Sequence, residues 1–141
     1  MIEFKINRNP SYMQKNNYKI KVTHKPAPDQ IVIDEEQFED MCTLLEDDFA
    51  GLVQSFFVDS FERIKLMREA QANNNNTEGY EAAHALKGAS ATLGAKQLEI
   101  LSGRLQDACR DHHIADQTAL IDQISVALQK VEREISSRLG L

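Results

Sequence analysis

Tryptophan is absent from this 141-residue chain, and glycine (6), proline (3) and cysteine (2) are scarce. So few Gly and Pro argue against a sandwich or barrel, whose strands need turn residues every ~8–12 positions. Cys42 and Cys109 stand outside any CxxC spacing. They read as reduced thiols packed in helices rather than as a disulfide framework or a metal site. Nowhere is there a run of about 18 apolar residues, and the amino terminus lacks a charged-then-apolar signal pattern. Neither membrane insertion nor secretion is expected, and the chain reads as cytoplasmic. A GxxxxGK[ST] phosphate loop is also missing, which removes the usual means of gripping a nucleotide triphosphate.

What is present leans towards helix. The hydrophobic fraction of 42% suffices for one core, and the length suits one domain. Charge is distributed unevenly. Residues 1–30 hold Lys5, Arg8, Lys15, Lys19, Lys21 and Lys25 against only Glu3 and Asp29, while the remainder carries ten basic and twenty acidic side chains. An acidic body is a poor partner for nucleic acid, because neutralising phosphates supplies most of that affinity.

Residues 1–30 are therefore set apart as a basic tail or a short hairpin plus linker. Ile2-Phe4-Ile6 and Tyr18-Ile20-Val22 alternate as strands do, and Lys25-Pro26-Ala27-Pro28 reads as a stiff extended connection. A helical pattern runs from residue 31 to 141. Asp34 is a candidate N-cap, followed by Phe38, Met41, Cys42 and Leu45 at helical spacing. A second helix is expected from about Asp48 to Ala72, with an apolar stripe of Phe49, Val53, Phe56, Phe57, Phe61, Ile64 and Met67. The Asn73–Asn76 tract ends it, and Thr77 is placed as the cap of a third helix that Gly94 closes. A fourth begins near Lys96 with Leu98, Leu101, Leu105 and Ala108 inward. The last, from about Asp116 to Arg138, repeats Leu120, Ile124, Leu128, Val131, Ile135 and Leu139. Short connections favour antiparallel neighbours, so the expected fold is all-α: an up-and-down antiparallel four-helix bundle with a short additional N-terminal helix.

Within the third helix, Ala82-Ala83-His84-Ala85-Leu86-Lys87-Gly88 places the only titratable ring of that segment beside a lysine and a glycine. At about 100° per residue, Ala82, Leu86, Ala89 and Leu93 share one face, and His84, Lys87, Gly88 and Ala91 the opposite one. The histidine then points away from the core its helix builds. Glycine costs about 1 kcal/mol in a helix interior, and here it is intelligible as clearance for another molecule's backbone. A lysine three residues from an imidazole can pair with the oxygens of a phosphoryl group on that ring. Judged by position alone, an exposed histidine next to a lysine is more often plain surface. His112-His113 reads as a cationic helix terminus, since adjacent histidines on a helix do not face one metal ion.

His84-Ala85-Leu86-Lys87-Gly88 followed by Leu93-Gly94-Ala95 resembles the signature of the histidine-containing phosphotransfer (HPt) domain: His, any residue, Leu, Lys, Gly, then small residues up to a Gly ten places on. The resemblance extends from about residue 31 to 138. It implies a phosphorelay intermediate in which His84 accepts a phosphoryl group from a receiver-domain phosphoaspartate and passes it, reversibly, to another receiver. Lys87 would stabilise the phosphoryl group and Gly88 give clearance, with Gln106 and Arg110 of the next helix as supporting residues. The implied partners are receiver domains of a hybrid histidine kinase or of response regulators. No metal or cofactor is expected on this chain; the divalent cation would come from the receiver. The chain is expected to be a monomeric phosphoryl carrier rather than a kinase. A helical docking module that binds receivers without phosphotransfer is the alternative.

Overall fold

In a computed structural model that describes residues 26–140, five helices account for most of the described residues. We number them α1 (Glu35–Leu45), α2 (Phe49–Ala72), α3 (Asn76–Leu93), α4 (Lys96–Arg110) and α5 (Thr118–Leu139), with 3-10 turns at Pro28–Gln30, Glu46–Asp48 and Ile114–Asp116. Helices α2 to α5 form the antiparallel bundle and α1 is the short additional helix. The described residues contain no strand. Both alternating runs, at 2–6 and 18–22, lie outside the described residues.

The core of the described residues is one buried cluster. Leu98, Leu101 and Leu105 of α4 meet Ile121, Ile124, Leu128, Val131 and Ile135 of α5 within one buried cluster. Each such side chain contributes roughly 1.5–3 kcal/mol relative to exposure. Phe38 of α1 and Phe49 of α2 pack edge to face, centroids 5.2 Å apart.

Helix α1 has a specific task at the carboxyl end of α3. Asp34 caps α1 by accepting from the Gln37 N–H at 3.0 Å. The Asp34 N–H donates to the Gly94 carbonyl at 2.7 Å, and the Gln37 side-chain amide donates to the carbonyls of Ala91 and Thr92. These carbonyls lie at the end of α3, where intrahelical donors run out, and only that of Ala91 also takes a local donor, the Gly94 N–H at 3.3 Å. Gly94 sits at φ 86 in the left-handed region, and a Cβ there would come within 3.3 Å of Gln37 Cβ. Conformation and space both require glycine. Arg138 ties α1 to α5 through a two-pronged pair with Glu35.

Four sequence expectations are corrected. Phe61 is 43% exposed, and the inward position of α2 is taken by Ser60, 1% exposed; the buried line 49-53-56-60-64-67 leaves residue 61 a further 100° round the helix. Ala89 is likewise exposed, and the buried positions of α3 are 79, 82, 83, 86, 90 and 93. Asn75, not Thr77, caps α3, accepting from the Glu78 N–H at 3.1 Å. Asn76 is already helical and accepts from the Ile114 N–H at 3.0 Å, so a contact from beyond α4 decides among four similar asparagines. Helix α5 starts at Thr118, after the 3-10 turn. The Pro26–Pro28 stretch leads directly into structure: the turn at Pro28–Gln30 is held to α4 by an Asp29–Arg104 ion pair at 3.0 Å, and the Gln97 N–H donates to Ile31 O at 2.8 Å.

Candidate functional site on the α3–α4 seam

Helices α3 and α4 are joined only by Gly94 and Ala95 and run antiparallel with close packing. Residues on their outer seam therefore meet in pairs. His84 faces Gln106, Lys87 faces Gly103, and one turn towards the other end Tyr80 faces Arg110. Close approach at that end depends on Gly79, where a Cβ would lie 2.3 Å from Ile114 Cδ1 and 2.9 Å from Cys109 Sγ.

His84 is exposed, on the face opposite the buried Ala82, Ala83 and Leu86. Its Nδ1 lies 2.9 Å from Oε1 of Gln106, which is only 6% exposed. An amide oxygen can only accept, so Nδ1 carries the proton and donates. The lone pair of a neutral ring then resides on Nε2. A polar side chain fixed in the interior thus sets the tautomer of an exposed imidazole.

Lys87 is half-buried, and its aliphatic stem runs along α4, where a Cβ on Gly103 would stand 3.6 Å from Lys87 Cδ. Among the described residues its ammonium forms no ion pair. Gly88 is exposed, and a Cβ there would meet no heavy atom within 4 Å. The fold itself places no demand for glycine at this point. Thr92 donates to the Gly88 carbonyl at 3.1 Å, and Ser90 is fully buried with its hydroxyl unpaired among the described residues, so neither hydroxyl is presented beside the His84 ring.

Arg110 lies one turn beyond Gln106 and pairs with Asp107 at 2.9 Å. Its guanidinium stands 5.7 Å from the centroid of the Tyr80 ring. Tyr80 in turn stacks on His84, centroids 5.9 Å apart and planes within 7°. Sequence reasoning passed over Tyr80, although its position four residues before His84 puts it on the same helix face.

Both cysteines are free, Cys42 half-buried and Cys109 buried. Burial pushes the Cys109 thiol up to about 11, which keeps it protonated and unreactive at neutral pH. His112 and His113 are exposed beyond the end of α4. Among the described residues no three His, Cys, Asp or Glu side chains gather into a set that could hold a metal ion. No helix among them is long and apolar enough to cross a membrane.

Among solved structures the chain is similar to histidine-containing phosphotransfer protein B (HptB) from Pseudomonas aeruginosa PAO1, with a TM-score of 0.73 and 23% sequence identity. The match covers 76% of this chain and 93% of that one, and at this identity it establishes the fold. A comparison with curated protein sequences finds no match. Residues 51–134, spanning more than half of the chain, match the Hpt domain family, and the run from α2 to α5 they cover includes every residue of the seam. The chain therefore belongs to the Hpt domain family, the histidine phosphotransfer domains of phosphorelays.

Proposed function

We propose that His84 is the phosphoryl acceptor of this domain and that the chain carries the group between receiver-domain aspartates. The observation that supports this most is the His84–Gln106 bond, which leaves Nε2 as the basic nitrogen of an exposed ring. In the forward step the Nε2 lone pair forms an N–P bond as the P–O bond of the receiver's acyl phosphate breaks. The bonding electrons leave with the receiver's carboxylate, and the proton stays on Nδ1, held by Gln106. Return of the group to a second aspartate reverses each change, so direction follows the supply of phosphorylated receiver.

The chain's own residues supply positioning and charge, which is most of what phosphoryl transfer requires. Lys87, one turn from His84 and anchored by its stem, can place its ammonium against the phosphoryl oxygens. Gly88 leaves the approach open. A divalent ion bound among the receiver's acidic residues would neutralise charge on the transferring group; we propose none on this chain. The sequence has no GxxxxGK[ST] phosphate loop, and we read the chain as a carrier without kinase activity.

The test is direct. The full chain is mixed with a radiolabelled phosphoreceiver and label transfer is followed. Wild type is expected to acquire acid-labile, base-stable label, and His84→Gln none. Equal labelling of the His84→Gln variant would reject the assignment, and tight receiver binding without label on wild type would favour a docking module.

A further inference from the structure

We infer that Tyr80 is a positioning residue for phosphoryl transfer at His84, and that Arg110 acts on the imidazole through Tyr80 rather than by touching it. This rests on His84 being the acceptor.

A single hydrogen bond fixes one point of an imidazole and leaves its plane free to swing about that bond. The Gln106 contact is at Nδ1, so by itself it sets the tautomer without setting where Nε2 points. The second constraint comes from Tyr80. Side chains on a helix lean towards its amino terminus, so the ring at 84 lies back over position 80. There it meets a phenol ring almost parallel to it, offset-stacked at 5.9 Å. Hydrogen bond and stack together define both the plane and the rotation of the imidazole.

Tyr80 is itself held. It is half-buried and packs against the core, and the Arg110 guanidinium stands over its ring at 5.7 Å. Arg110 is tied in turn to Asp107 on its own helix. A chain of contacts, Asp107–Arg110–Tyr80–His84, thus crosses the seam one turn away from Gln106. The aromatic face also suits the chemistry. As Nε2 shares its lone pair with phosphorus while Nδ1 keeps its proton, the ring becomes cationic, and a π face within about 6 Å favours a cation.

The test uses the full chain with two donors. Phosphoramidate needs no docking surface, so its rate reports on His84 alone; a phosphorylated receiver adds docking. Rates are normalised to the folded fraction from far-UV circular dichroism. With phosphoramidate, Tyr80→Phe is expected to react close to wild type, because the stacked ring is kept and only the phenol oxygen that faces Arg110 is lost. Tyr80→Leu is expected to fall roughly 2- to 13-fold, the fold-change corresponding to the usual worth of an aromatic pair. Arg110→Ala should fall by less, and should have no further effect in the Tyr80→Leu background.

Nitrogen-15 spectra of the His84 ring give a readout that stability does not move. Wild type and Tyr80→Phe should show one ordered Nδ1–H tautomer, and Tyr80→Leu exchange-averaged ring signals. Wild type also tests the stack without any variant, since the Tyr80 ring current should displace the His84 ring protons from their random-coil positions. Random-coil positions for those protons, or a wild-type rate in Tyr80→Leu while His84→Gln stays unlabelled, would overturn the role of Tyr80 alone. Labelling of His84→Gln would instead overturn the acceptor assignment beneath it. An Arg110→Ala effect that persists undiminished in Tyr80→Leu would show that Arg110 acts independently.

Discussion

Gly88 offers the sharpest separation of what the fold needs from what a partner needs. It lies in the interior of α3, exposed, with room for a Cβ on every side. Replacing it with alanine should stabilise the helix by about 1 kcal/mol through helix propensity and a less flexible unfolded chain. With about 2 cal/mol/K of unfolding entropy per residue, that gain raises Tm by about 4 °C for a domain of this size. Glutamine has a propensity close to that of alanine, so Gly88→Gln should also melt at or above the wild-type temperature. Its effect on transfer should be the reverse. A side chain at 88 leans back over the turn carrying His84 and Lys87, into the space an incoming acyl phosphate must cross. Displacing the reacting atoms by about 1 Å costs on the order of 100-fold. Receiver-to-His84 transfer in Gly88→Gln should fall by about that factor, while phosphoramidate, which brings no protein surface, should be slowed far less. Thermal melts and the two transfer assays decide the matter. A Gly88→Gln variant that melts well below wild type, or one that accepts phosphoryl groups from a receiver at the wild-type rate, would refute the clearance argument.

Three further outcomes are expected. Gly79→Ala should destabilise, because overpacking against Ile114 and Cys109 costs about 1–3 kcal/mol and outweighs a helix-propensity gain of up to about 1 kcal/mol; chemical denaturation measures the net loss. Gln106→Leu removes the acceptor of the Nδ1 proton and should slow phosphoramidate labelling of His84 several-fold with helicity retained, and ring nitrogen spectra should then show both tautomers. Arg138, chiefly through its hydrogen bonds, holds the Glu35 carboxyl below the usual carboxylate range. A depressed folded-state value means the pair stabilises fully above the unfolded pKa of about 4.3 and loses that contribution as pH falls through the folded value. Glu35→Gln should therefore cost up to about 1 kcal/mol at pH 7, since the pair is largely exposed, and the gap from wild type should close in acid.

Much of the molecule was legible from local pattern, and the failures share a cause. Asp34 and Gly94 could be placed because capping and left-handed backbone are set by a few consecutive residues. The acceptor face of α3 followed from helical phase, and Gln106 from the resemblance. The Asn73–Asn76 tract could not be resolved, because each residue is a fair cap and Ile114, far along the chain, makes the choice. Phe61 reads as inward on hydrophobicity, whereas the phase of the buried line 49-53-56-60-64-67 gives that place to Ser60. The task of Gln37 at the end of α3 was invisible, since its acceptors lie more than fifty positions away. Tyr80 differs in kind: its spacing from His84 is local and legible, but its stacking on the ring depends on side-chain rotamers that spacing does not set.

The two-residue joint between α3 and α4 has a consequence for how such a domain can signal. A hairpin closed by Gly94 and Ala95 alone, with close packing at its far end where Gly79 meets Ile114, leaves little slack between its two helices. The loaded and unloaded molecules should share one backbone. The message then travels as a covalent mark on a fixed frame, and whichever protein binds next must read chemistry rather than shape.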